Sequence, residues 1–430
     1  MRMPSSPSRS RRHALLVVLF AAGTLLRTVA APAEAGSFLL GERELQRALD
    51  ETPAHATLVC DPNRVLTLSK PVEIRRPLTL RGLAAQLPPK LGNTSLLVIR
   101  APGVALLDLT LTGNGDSVPQ SERAPLVVVA AGDFRIERVR FFNCSKDGIN
   151  VDGDAAGADI VGGVIRDITG HHVIRDTVSI SGGDKLGFKI RNVLVDNVRA
   201  YDSSKRGAVE VSDGSENITV RKVYAERCIY AVDVQDHSKP AQINRNIVVE
   251  DIYATHSKHA IRTSNHALGH AGLTVRDITA EHCTDPIQIS NTTELLLENA
   301  RVLDHAGAAS PIAVKNCPNA IVRDVTVARS THNGAAVAFD NCDNLVVDGV
   351  SVRDSPQLGA GVRYRLTQGG AFSGLRIAHV RVPVANEAGI VLETTGEKKS
   401  TLSDYLVHAN LATVDDRIRG ERGVIEAGAR

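Results

Sequence analysis

Tryptophan is absent from this chain of 430 residues, and aromatic residues make up only 3% of it. A fold built around large rings is therefore disfavoured, whereas a narrow core of stacked aliphatic side chains needs none. Acidic and basic residues nearly cancel to a formal net charge of +2, so the total argues neither for nor against a nucleic-acid partner. The six cysteines include no CxxC pair, so no zinc-type spacing is present.

An export signal is predicted for residues 1–35. Arginines, among them Arg11 and Arg12, precede an apolar run from Ala14 to Leu26, and small residues for cleavage end the segment. The arginine pair also resembles a twin-arginine signal. The run is short for a spanning helix, which needs about 20 residues, and an uncleaved anchor is the alternative. We expect a secreted or periplasmic protein with no membrane contact beyond this signal.

Instead of long hydrophobic runs, the rest of the chain has a repeat. Ten short lines alternate an inward apolar, an outward and a second inward residue. The second inward position falls at Val151, Ile180, Val211, Val234, Thr263, Ile289, Val314, Phe339, Tyr364 and Leu392. Successive positions lie 23 to 31 residues apart. A period of this size, with one short strand per line bounded by turn-forming residues, predicts a parallel β-helix.

We therefore predict an all-β fold, a single-stranded right-handed parallel β-helix over residues 36–396. The repeat fades and charge rises over 397–430, where we expect a C-terminal cap or tail. Residues 42–50 show helical spacing at Leu45 and Leu49. A short helix there is expected to cover the open end of the solenoid, which otherwise exposes core and strand edges.

A ladder of Asn and Asp is the most specific structural signal. It stands two residues beyond the indexed position, at Asp213, Asp236, Asn265, Asn291, Asn316 and Asn341. Asn tolerates the left-handed conformation of a tight turn, and stacked amides hydrogen-bond along the axis. The run resembles the asparagine ladder of the pectate-lyase-like β-helix superfamily. We assign it a structural role.

Cys317 and Cys342 occupy the same repeat position, 25 residues apart. Neighbouring coils are about 4.8 Å apart, which fits the Cα separation of a disulfide, roughly 4.4–6.8 Å. An exported protein can carry such a bridge. A ladder of free thiols is the alternative, and it is the one we favour.

Polar and charged residues concentrate on the outward side of the first coils. Six successive outward positions read Asn150, Ser179, Glu210, Asp233, Arg262 and Gln288, after which the row turns small. Just upstream of the strands stand Asp147, Asp176, Tyr230 and His259, preceded by Lys146, Arg175, Lys205, Arg206 and Lys258. Such a strip suits a polyanionic or hydroxyl-rich chain, because cations bind carboxylates. A row of mutually compensating surface charges is the alternative.

Two carboxylates on neighbouring coils meet the basic need of a glycosidase. One protonates the leaving group, and the other activates water or attacks. Crowding two like charges raises one pKa and separates the two roles. Asp147 with Asp176 forms one such pair, and Glu210 with Asp233 forms another. We predict these four as the catalytic residues.

The sequence CSKDGINV resembles the NTDGIDV motif of polygalacturonases, the family 28 glycoside hydrolases, and Asp147 falls on the motif's catalytic aspartate. The next coil, IRDTVSISGG, resembles their GDDAIAIKSG, and Asp176 falls on the second aspartate. The fold-level resemblance covers about residues 40–395. It implies hydrolysis of a polysaccharide that contains uronic acid, with Asp147 and Asp176 in acid–base roles.

The match has departures. Arg175 replaces the first aspartate of the second motif, and Gly207 stands where the histidine of the family's GHG motif belongs. The RIK motif is matched only in part, by Arg262 and the Thr-Ser that follows it, and one coil too far along. Half of the motif set is therefore present.

A polysaccharide lyase is the main enzymatic alternative. β-Elimination needs a base near C5 and a cation against the uronate carboxylate, and lyases of this fold commonly use Lys or Arg, often with calcium. Lys205, Arg206 and Arg262 beside Glu210 and Asp233 would fill these roles, and oxygen-rich clusters suit calcium. For a hydrolase we expect no cofactor and no metal.

A third hypothesis is a non-catalytic carbohydrate-binding or surface protein. It predicts aromatic platforms for stacking on sugars, and only Tyr230 stands near the strip. For either enzyme we expect a monomer that binds polysaccharide and no nucleic acid. The predicted substrate-binding residues are Lys146, Arg175, Lys205, Arg206, Tyr230, Lys258, His259 and Arg262.

Overall fold

The structure, a computed structural model, describes residues 34–38, 42–183, 185–237, 243–264, 269–383, 385–395, 399–409, 412–418 and 423–427. Within them the chain winds into a parallel β-solenoid of about 13 turns. Strands pair in parallel from each coil to the next, for example Ile149–Asp152 with Val178–Ser181. The predicted all-β parallel β-helix is confirmed.

One face of the solenoid is a sheet of 14 strands, called the front sheet below. Its strands are β1 Val72–Ile74, β2 Leu97–Ile99, β3 Val127–Val129, β4 Ile149–Asp152, β5 Val178–Ser181, β6 Gly207–Ser212, β7 Tyr230–Gln235, β8 His259–Ser264, β9 Ile287–Ser290, β10 Ile312–Lys315, β11 Ala335–Asp340, β12 Ala360–Leu366, β13 Ala388–Thr394 and β14 Val414–Asp416.

The remaining faces form a sheet of 20 strands, called the back sheet. Its strands are Glu34–Phe38, Thr57–Cys60, Val65–Thr67, Thr79–Arg81, Ala84–Gln86, Ala105–Leu107, Thr110–Thr112, Phe134–Phe142, Ile160–His171, Ile190–Tyr201, Glu216–Glu226, Asn244–Thr255, His270–Glu281, Thr292–Thr293, Leu296–Leu303, Ile321–Ala328, Val346–Arg353, Arg376–Arg381, Leu406–Ala409 and Val424–Ala427. Gly370–Ser373 and Ser400–Ser403 pair separately.

In the described part of the chain, four short helical segments interrupt the strands. They are the α-helices α1 (Glu42–Glu51) and α2 (Gly153–Ala156) and the 3-10 turns Gly115–Ser117 and Gln120–Glu122. The first covers the open end, as predicted, with Leu45 and Leu49 buried. Gln46 on α1 exchanges hydrogen bonds of 3.0 and 2.8 Å with the backbone of Glu73 in β1. The free edge of the front sheet is thereby satisfied.

The predicted register is the observed one. The outward row of the front sheet pairs Asn150 with Ser179, Ser179 with Glu210, Glu210 with Asp233 and Asp233 with Arg262. The flanking apolar residues point inward and are buried. Because the side-chain period of a strand is two, a slip of one residue would turn the whole aliphatic set to solvent.

The predicted asparagine ladder forms in part. Nδ2 of Asn316 donates to Oδ1 of Asn291 at 2.8 Å, and Nδ2 of Asn341 donates to Oδ1 of Asn316 at 3.3 Å. All three have φ near +50°, with values from 48° to 54°, the left-handed conformation that Asn tolerates. Asn265 lies outside the described residues, and Asp213 is engaged elsewhere, as described below.

All six cysteines are buried and free, including Cys317 and Cys342. Burial raises the pKa of the Cys228 thiol to about 11. Buried thiols with raised pKa values are poor nucleophiles. The structure therefore has the thiol ladder and not the bridge.

Parallel pairing continues past residue 396. Residues 397–430, expected as a cap or tail, contribute strands at 400–403, 406–409, 414–416 and 424–427. Of the predicted signal, only Glu34 and Ala35 lie within the described residues, where they begin the first strand. In the part of the chain that is described, no helix is long and apolar enough to cross a membrane.

Candidate active-site cleft

A cleft of about 300 Å³ lies over β4, β5 and β6 of the front sheet. It lies within the coils singled out by the sequence. Its walls are almost entirely polar, being formed by Lys146, Asp147, Asn150, Asp152, Asp154, Arg175, Ser179, Ser181, Gly183, Lys185, Arg206, Glu210, Ser212, Asp213 and His237.

One wall is built by the short helix α2. Asp152 caps its N-terminus, because Oδ1 accepts a hydrogen bond of 3.0 Å from the backbone N–H of Ala155. The next acid, Asp154, accepts the backbone N–H groups of Lys185 and Leu186 at 3.0 Å each. These bonds tie the segment after β5 to the coil before it and fix the rim.

Asp147 stands in the cleft wall with only 1% of its side chain exposed. Its Oδ1 accepts the backbone N–H of Asp176 at 3.3 Å and lies 3.4 Å from Nε of Arg175. Burial raises the pKa of Asp147, although Arg175 and Lys146 act against the shift. A buried carboxyl with a raised pKa has the property required of a general acid.

Glu210, on β6, is surrounded by donors. Oε1 accepts from the Arg206 guanidinium, and Oε2 accepts from the Ser179 hydroxyl at 3.1 Å. Nη2 of Arg175 lies 3.7 Å from Oε2. Glu210 is therefore a hydrogen-bond acceptor for two of the polar residues that line the cleft.

Asp176 lies beneath these two acids and has no exposed surface. The Tyr230 hydroxyl donates to its Oδ1 at 2.6 Å, and its Oδ2 faces Arg206 at 3.6 Å. Burial raises the pKa of Asp176 well above its ordinary value, and the negative charges of Glu210 and Asp147 add to the shift. Tyr230 is fully buried as well. Asp176 is therefore positioned to influence the cleft electrostatically rather than by contact.

Asp233 is also fully buried, one coil further along. Nη2 and Nε of Arg262 donate to its Oδ2 at 2.8 and 3.0 Å. Burial raises the pKa of Asp233 to about 6 although Arg262 opposes the shift. The Arg262 guanidinium also lies 4.7 Å above the ring of Tyr230, a cation–π distance.

Arg175 and Arg206 join the acids into one network. Arg175 reaches the carboxylates of Asp147, Asp176 and Glu210, and Arg206 reaches the last two. Burial alone would lower the pKa of each guanidinium, but the surrounding carboxylates raise it. Both arginines therefore stay charged and are unsuited to act as bases.

Five of the predicted substrate-binding residues do not line the cleft, namely Lys205, Tyr230, Lys258, His259 and Arg262. Lys205 is exposed, and Lys258 pairs with Asp285 at 3.4 Å. His259 is buried, with Nδ1 2.5 Å from the carbonyl oxygen of Asp285. Burial lowers the pKa of His259 to about 4. The remaining predicted substrate-binding residues lie in the cleft wall.

The structure explains one departure from the polygalacturonase pattern. A Cβ at Gly207 would lie 1.8 Å from the carbonyl oxygen of Tyr230 and 2.5 Å from its ring. No side chain fits there, so the histidine of the family motif has no room at this position. The histidine of the cleft, His237, comes from the next coil.

Sequence reasoning missed a second group in the cleft, namely Asp213, Gln235 and His237. Nδ1 of His237 lies 2.8 Å from the Asp213 carboxylate, and Gln235 lies against Nε2. Asp213 was assigned to the ladder because a turn position and a ligand position look alike in sequence. The signal that was available is the alternation of Asp233, Gln235 and His237, which continues the outward row beyond β7.

A set of potential metal ligands lies elsewhere. Among the described residues, Glu281, His282 and Asp304 have ligand atoms within 4.8 Å of one another. They belong to the back sheet and its turns, and Asp304 is already bound by Arg329 at 2.7 and 2.6 Å. None of them lines the cleft.

The fold is that of a known class. A family model described as "Right handed beta helix region" matches residues 209–371. No curated protein matches the chain. The match of the family model covers less than half of the chain and agrees with the right-handed parallel β-helix of the structure.

Solved structures with this architecture include carbohydrate-active enzymes. The catalytic domain of a GH87 α-1,3-glucanase variant, in complex with tetrasaccharides, aligns with a TM-score of 0.51 and 10% identity over 93% of this chain and 69% of that one. A family 28 exopolygalacturonase of Yersinia enterocolitica aligns with a TM-score of 0.48 and 10% identity over 88% and 75%. At such identities the likeness shows the fold alone.

Proposed function

We propose that this protein is an enzyme that hydrolyses glycosidic bonds in a polysaccharide, one that contains uronic acid. The observation that carries the proposal is the cleft, whose wall contains a buried acid, Asp147, and the donor-rich Glu210. The substrate is met outside the cytoplasm, because residues 1–35 predict export. The enzyme acts as a monomer, and no cofactor is required by this chemistry.

Of the acids in the cleft wall, Asp147 and Glu210 are the two that the sequence predicts as catalytic, and they differ in surroundings. Burial raises the pKa of Asp147, whereas Glu210 accepts hydrogen bonds from Arg206 and Ser179. Asp147 would protonate the leaving oxygen, and Glu210 would activate water. Asp176 and Asp233, predicted as their partners, support this pair from below the surface.

The spacing of the two acids suggests the stereochemical course. Asp147 precedes β4 and Glu210 lies on β6, two coils further on. With neighbouring strands about 4.8 Å apart, coils two apart are separated by about 9.6 Å. This value lies at the upper limit of the roughly 6.5–9.5 Å that separates the carboxyl groups of inverting glycosidases, and well above the roughly 5–5.5 Å of retaining ones. Inversion of the anomeric centre is the expected outcome.

A uronate carboxylate would be bound by cations that are not already neutralised. Arg175 and Arg206 are engaged by the protein's own acids. Lys146 and Lys185 line the cleft and make no ion pair within 4.0 Å with a described carboxylate. These two lysines are the sites expected for substrate carboxylates.

A polysaccharide lyase is the second candidate, and Lys146 is the observation that favours it. Lys146 precedes Asp147 in the cleft wall and would act as the base in this scheme. Lys205, the lysine suggested by sequence, is exposed and does not line the cleft.

A sugar-binding rod receives less support. Phe142, His171 and Tyr201 stack in a column on the back sheet with ring centroids 5.4 and 4.7 Å apart, and Tyr224 stacks on Tyr253 at 5.7 Å. Because these rings stack on one another, their inner faces are covered, and none of the five lines the cleft.

The test is a panel of acidic and neutral polysaccharides, with and without calcium. Reducing ends and the absorbance of unsaturated uronates are followed in parallel. Reducing ends without unsaturation support hydrolysis. Unsaturation that Lys146→Met abolishes supports the lyase, and binding without either product supports the rod. Glu298→Gln, which alters an exposed ion pair with Arg323 on the back sheet, is the control variant.

A further inference from the structure

His237 enters the cleft just beyond β7 and is held by Asp213. Its Nδ1 lies 2.8 Å from both carboxylate oxygens of Asp213, and its backbone N–H donates to Oδ1 at 3.0 Å. Asp213 is almost fully buried, and its Oδ2 also accepts the Ser181 hydroxyl at 3.0 Å. An ionised carboxylate only accepts hydrogen bonds, so Nδ1 of His237 carries a proton.

The other ring nitrogen faces Gln235. Nε2 of His237 lies 2.6 Å from the Gln235 amide, whose far side lies 3.0 Å from Oε1 of Glu210 and 3.3 Å from Oδ2 of Asp233. An amide oxygen turned toward two carboxylate oxygens is repelled, whereas the amide NH₂ donates to both. Gln235 therefore directs its nitrogen to the carboxylates and its oxygen to His237.

This orientation requires a proton on Nε2 as well. The amide oxygen of Gln235 has no hydrogen, so Nε2 of His237 must donate the bond between them. With protons on both nitrogens the ring is an imidazolium. The hydrogen bond to Asp213 raises the pKa of His237, and although burial acts against it, the net shift is upward.

We infer that Asp213, His237 and Gln235 form a positioning relay, which presents an amide donor to Glu210 and Asp233 for as long as His237 is protonated. When Nε2 loses its proton it becomes an acceptor. Gln235 can satisfy it only by rotating its amide, which turns the oxygen toward the two carboxylates. This rotation withdraws the amide donor from Glu210 and Asp233. Proton loss at His237 thus removes a hydrogen bond from both carboxylates.

Among the charged groups around His237, Asp213 has the largest effect on the pKa of the ring. Glu210 on β6 raises the pKa of His237 and Arg206, just before β6, lowers it. Lys185 and Asp154 line the same cleft from the segment after β5 and from α2, and Asp154 is occupied by backbone N–H groups. Of all these groups, the Asp213 carboxylate is the one in direct contact with the ring.

The relay rests on the proposed function for its purpose, because Glu210 is one of the two acids assigned to the reaction. While His237 is charged, Glu210 keeps the amide donor of Gln235 in addition to its bonds from Arg206 and Ser179. The alkaline limb of the pH–activity profile is therefore expected to follow the titration of His237. Gln235 is a positioning residue in this scheme, since it acts through Glu210.

The test is NMR of the full chain with 15N-labelled histidine, in which the resonances lost in His237→Gln identify His237. Near neutral pH both ring nitrogens are expected to be protonated. Gln235→Leu removes the acceptor of Nε2. The midpoint of the His237 titration should therefore fall by about one to two pH units, which corresponds to the free energy of one charge-assisted hydrogen bond. Ser264→Ala, in the same row one coil on and 3.5 Å from Asp233, should leave the midpoint unchanged.

A second variant distinguishes the loss of this hydrogen bond from a loss of the fold. Gln235→Glu keeps an acceptor for His237 but removes the donor to Glu210, so the midpoint should rise instead of fall. Circular dichroism checks that each variant is folded. A neutral His237 ring in the wild type at neutral pH would overturn the relay. So would a midpoint that neither substitution moves.

The NMR titration of His237 does not depend on whether the protein turns over a polysaccharide. The expected titration in a protein that cleaves no polysaccharide leaves the relay standing and removes the proposed function. Hydrolysis by a protein whose His237 is neutral does the reverse. If both hold, Gln235→Leu should also shift the alkaline limb of kcat, a change that a purely structural residue would not produce.

Discussion

Replacing Arg262 by methionine should destabilise the fold strongly at neutral pH. Arg262 donates hydrogen bonds of 3.0 and 2.8 Å to Asp233, whose side chain has no exposed surface. Methionine occupies similar volume without charge, so the buried carboxylate is left without its cation. Removing one partner of a buried ion pair costs about 3–5 kcal/mol of unfolding free energy, a large share of the stability of a domain.

The loss of unfolding free energy should depend on pH, because Asp233 becomes neutral when it binds a proton. Burial raises its pKa from 3.8 to about 6 in the folded protein, even beside Arg262. A carboxyl whose pKa is higher in the folded than in the unfolded protein stabilises the folded state at pH values below its unfolded pKa. This stabilisation is lost as the pH rises through its folded pKa. The shift of about two units corresponds to about 3 kcal/mol. Arg262→Met raises that pKa further. The unfolding free energy of the variant should therefore be close to that of the wild type near about pH 4 and well below it near about pH 8.

Urea unfolding followed by circular dichroism at both pH values measures this. The double variant Asp233→Asn with Arg262→Met should recover much of the loss at the higher pH, because no buried charge remains. Arg323→Met, which breaks an exposed pair with Glu298, should have little effect. Equal losses at both pH values, or a double variant no more stable than the single one, would refute the reasoning.

Three further predictions concern the scaffold around the cleft. Tyr230→Phe removes the buried donor to Asp176, so unfolding free energy should fall by about 1–3 kcal/mol, and an unchanged urea midpoint would contradict this. Asn316→Ala loses both ladder contacts and places an alanine, which has a Cβ, at a φ of 54°. It should therefore be less stable than Asn316→Gly, which relieves the backbone strain. The reverse order of stability would show that the left-handed conformation is not what position 316 requires. Thiol titration should count six reactive cysteines only after unfolding, and a count of four would indicate that Cys317 and Cys342 are bridged.

The solenoid was predictable because its signals are local and repeated. Each line carries its own alternation, so Glu210, Asp233 and Arg262 could be placed side by side from spacing alone. The same periodicity located the corner residues, since Asn316 and Asn341 need a left-handed turn at a fixed offset from the strand. The helix α1 followed from the need to cover an open end.

The electrostatics of the cleft were less predictable, because they depend on side-chain direction. Sequence placed Asp147 and Asp176 on adjacent coils, yet only Asp147 lines the cleft, and Asp176 lies under Arg206. Asp213 had the same turn signal as the ladder residues, so its contact with His237 was hidden. Long arginine side chains span two coils, and spacing does not tell which carboxylate each one reaches.

The most direct test of the central claim compares Asp147→Asn and Glu210→Gln with Glu298→Gln in the reducing-end assay on the polysaccharide that the panel identifies. Each cleft variant should lose about 10²–10⁴-fold in kcat, the contribution of a general acid or base. The control should retain wild-type activity. Wild-type turnover by a folded Asp147→Asn or Glu210→Gln protein would show that these two acids do not carry the reaction.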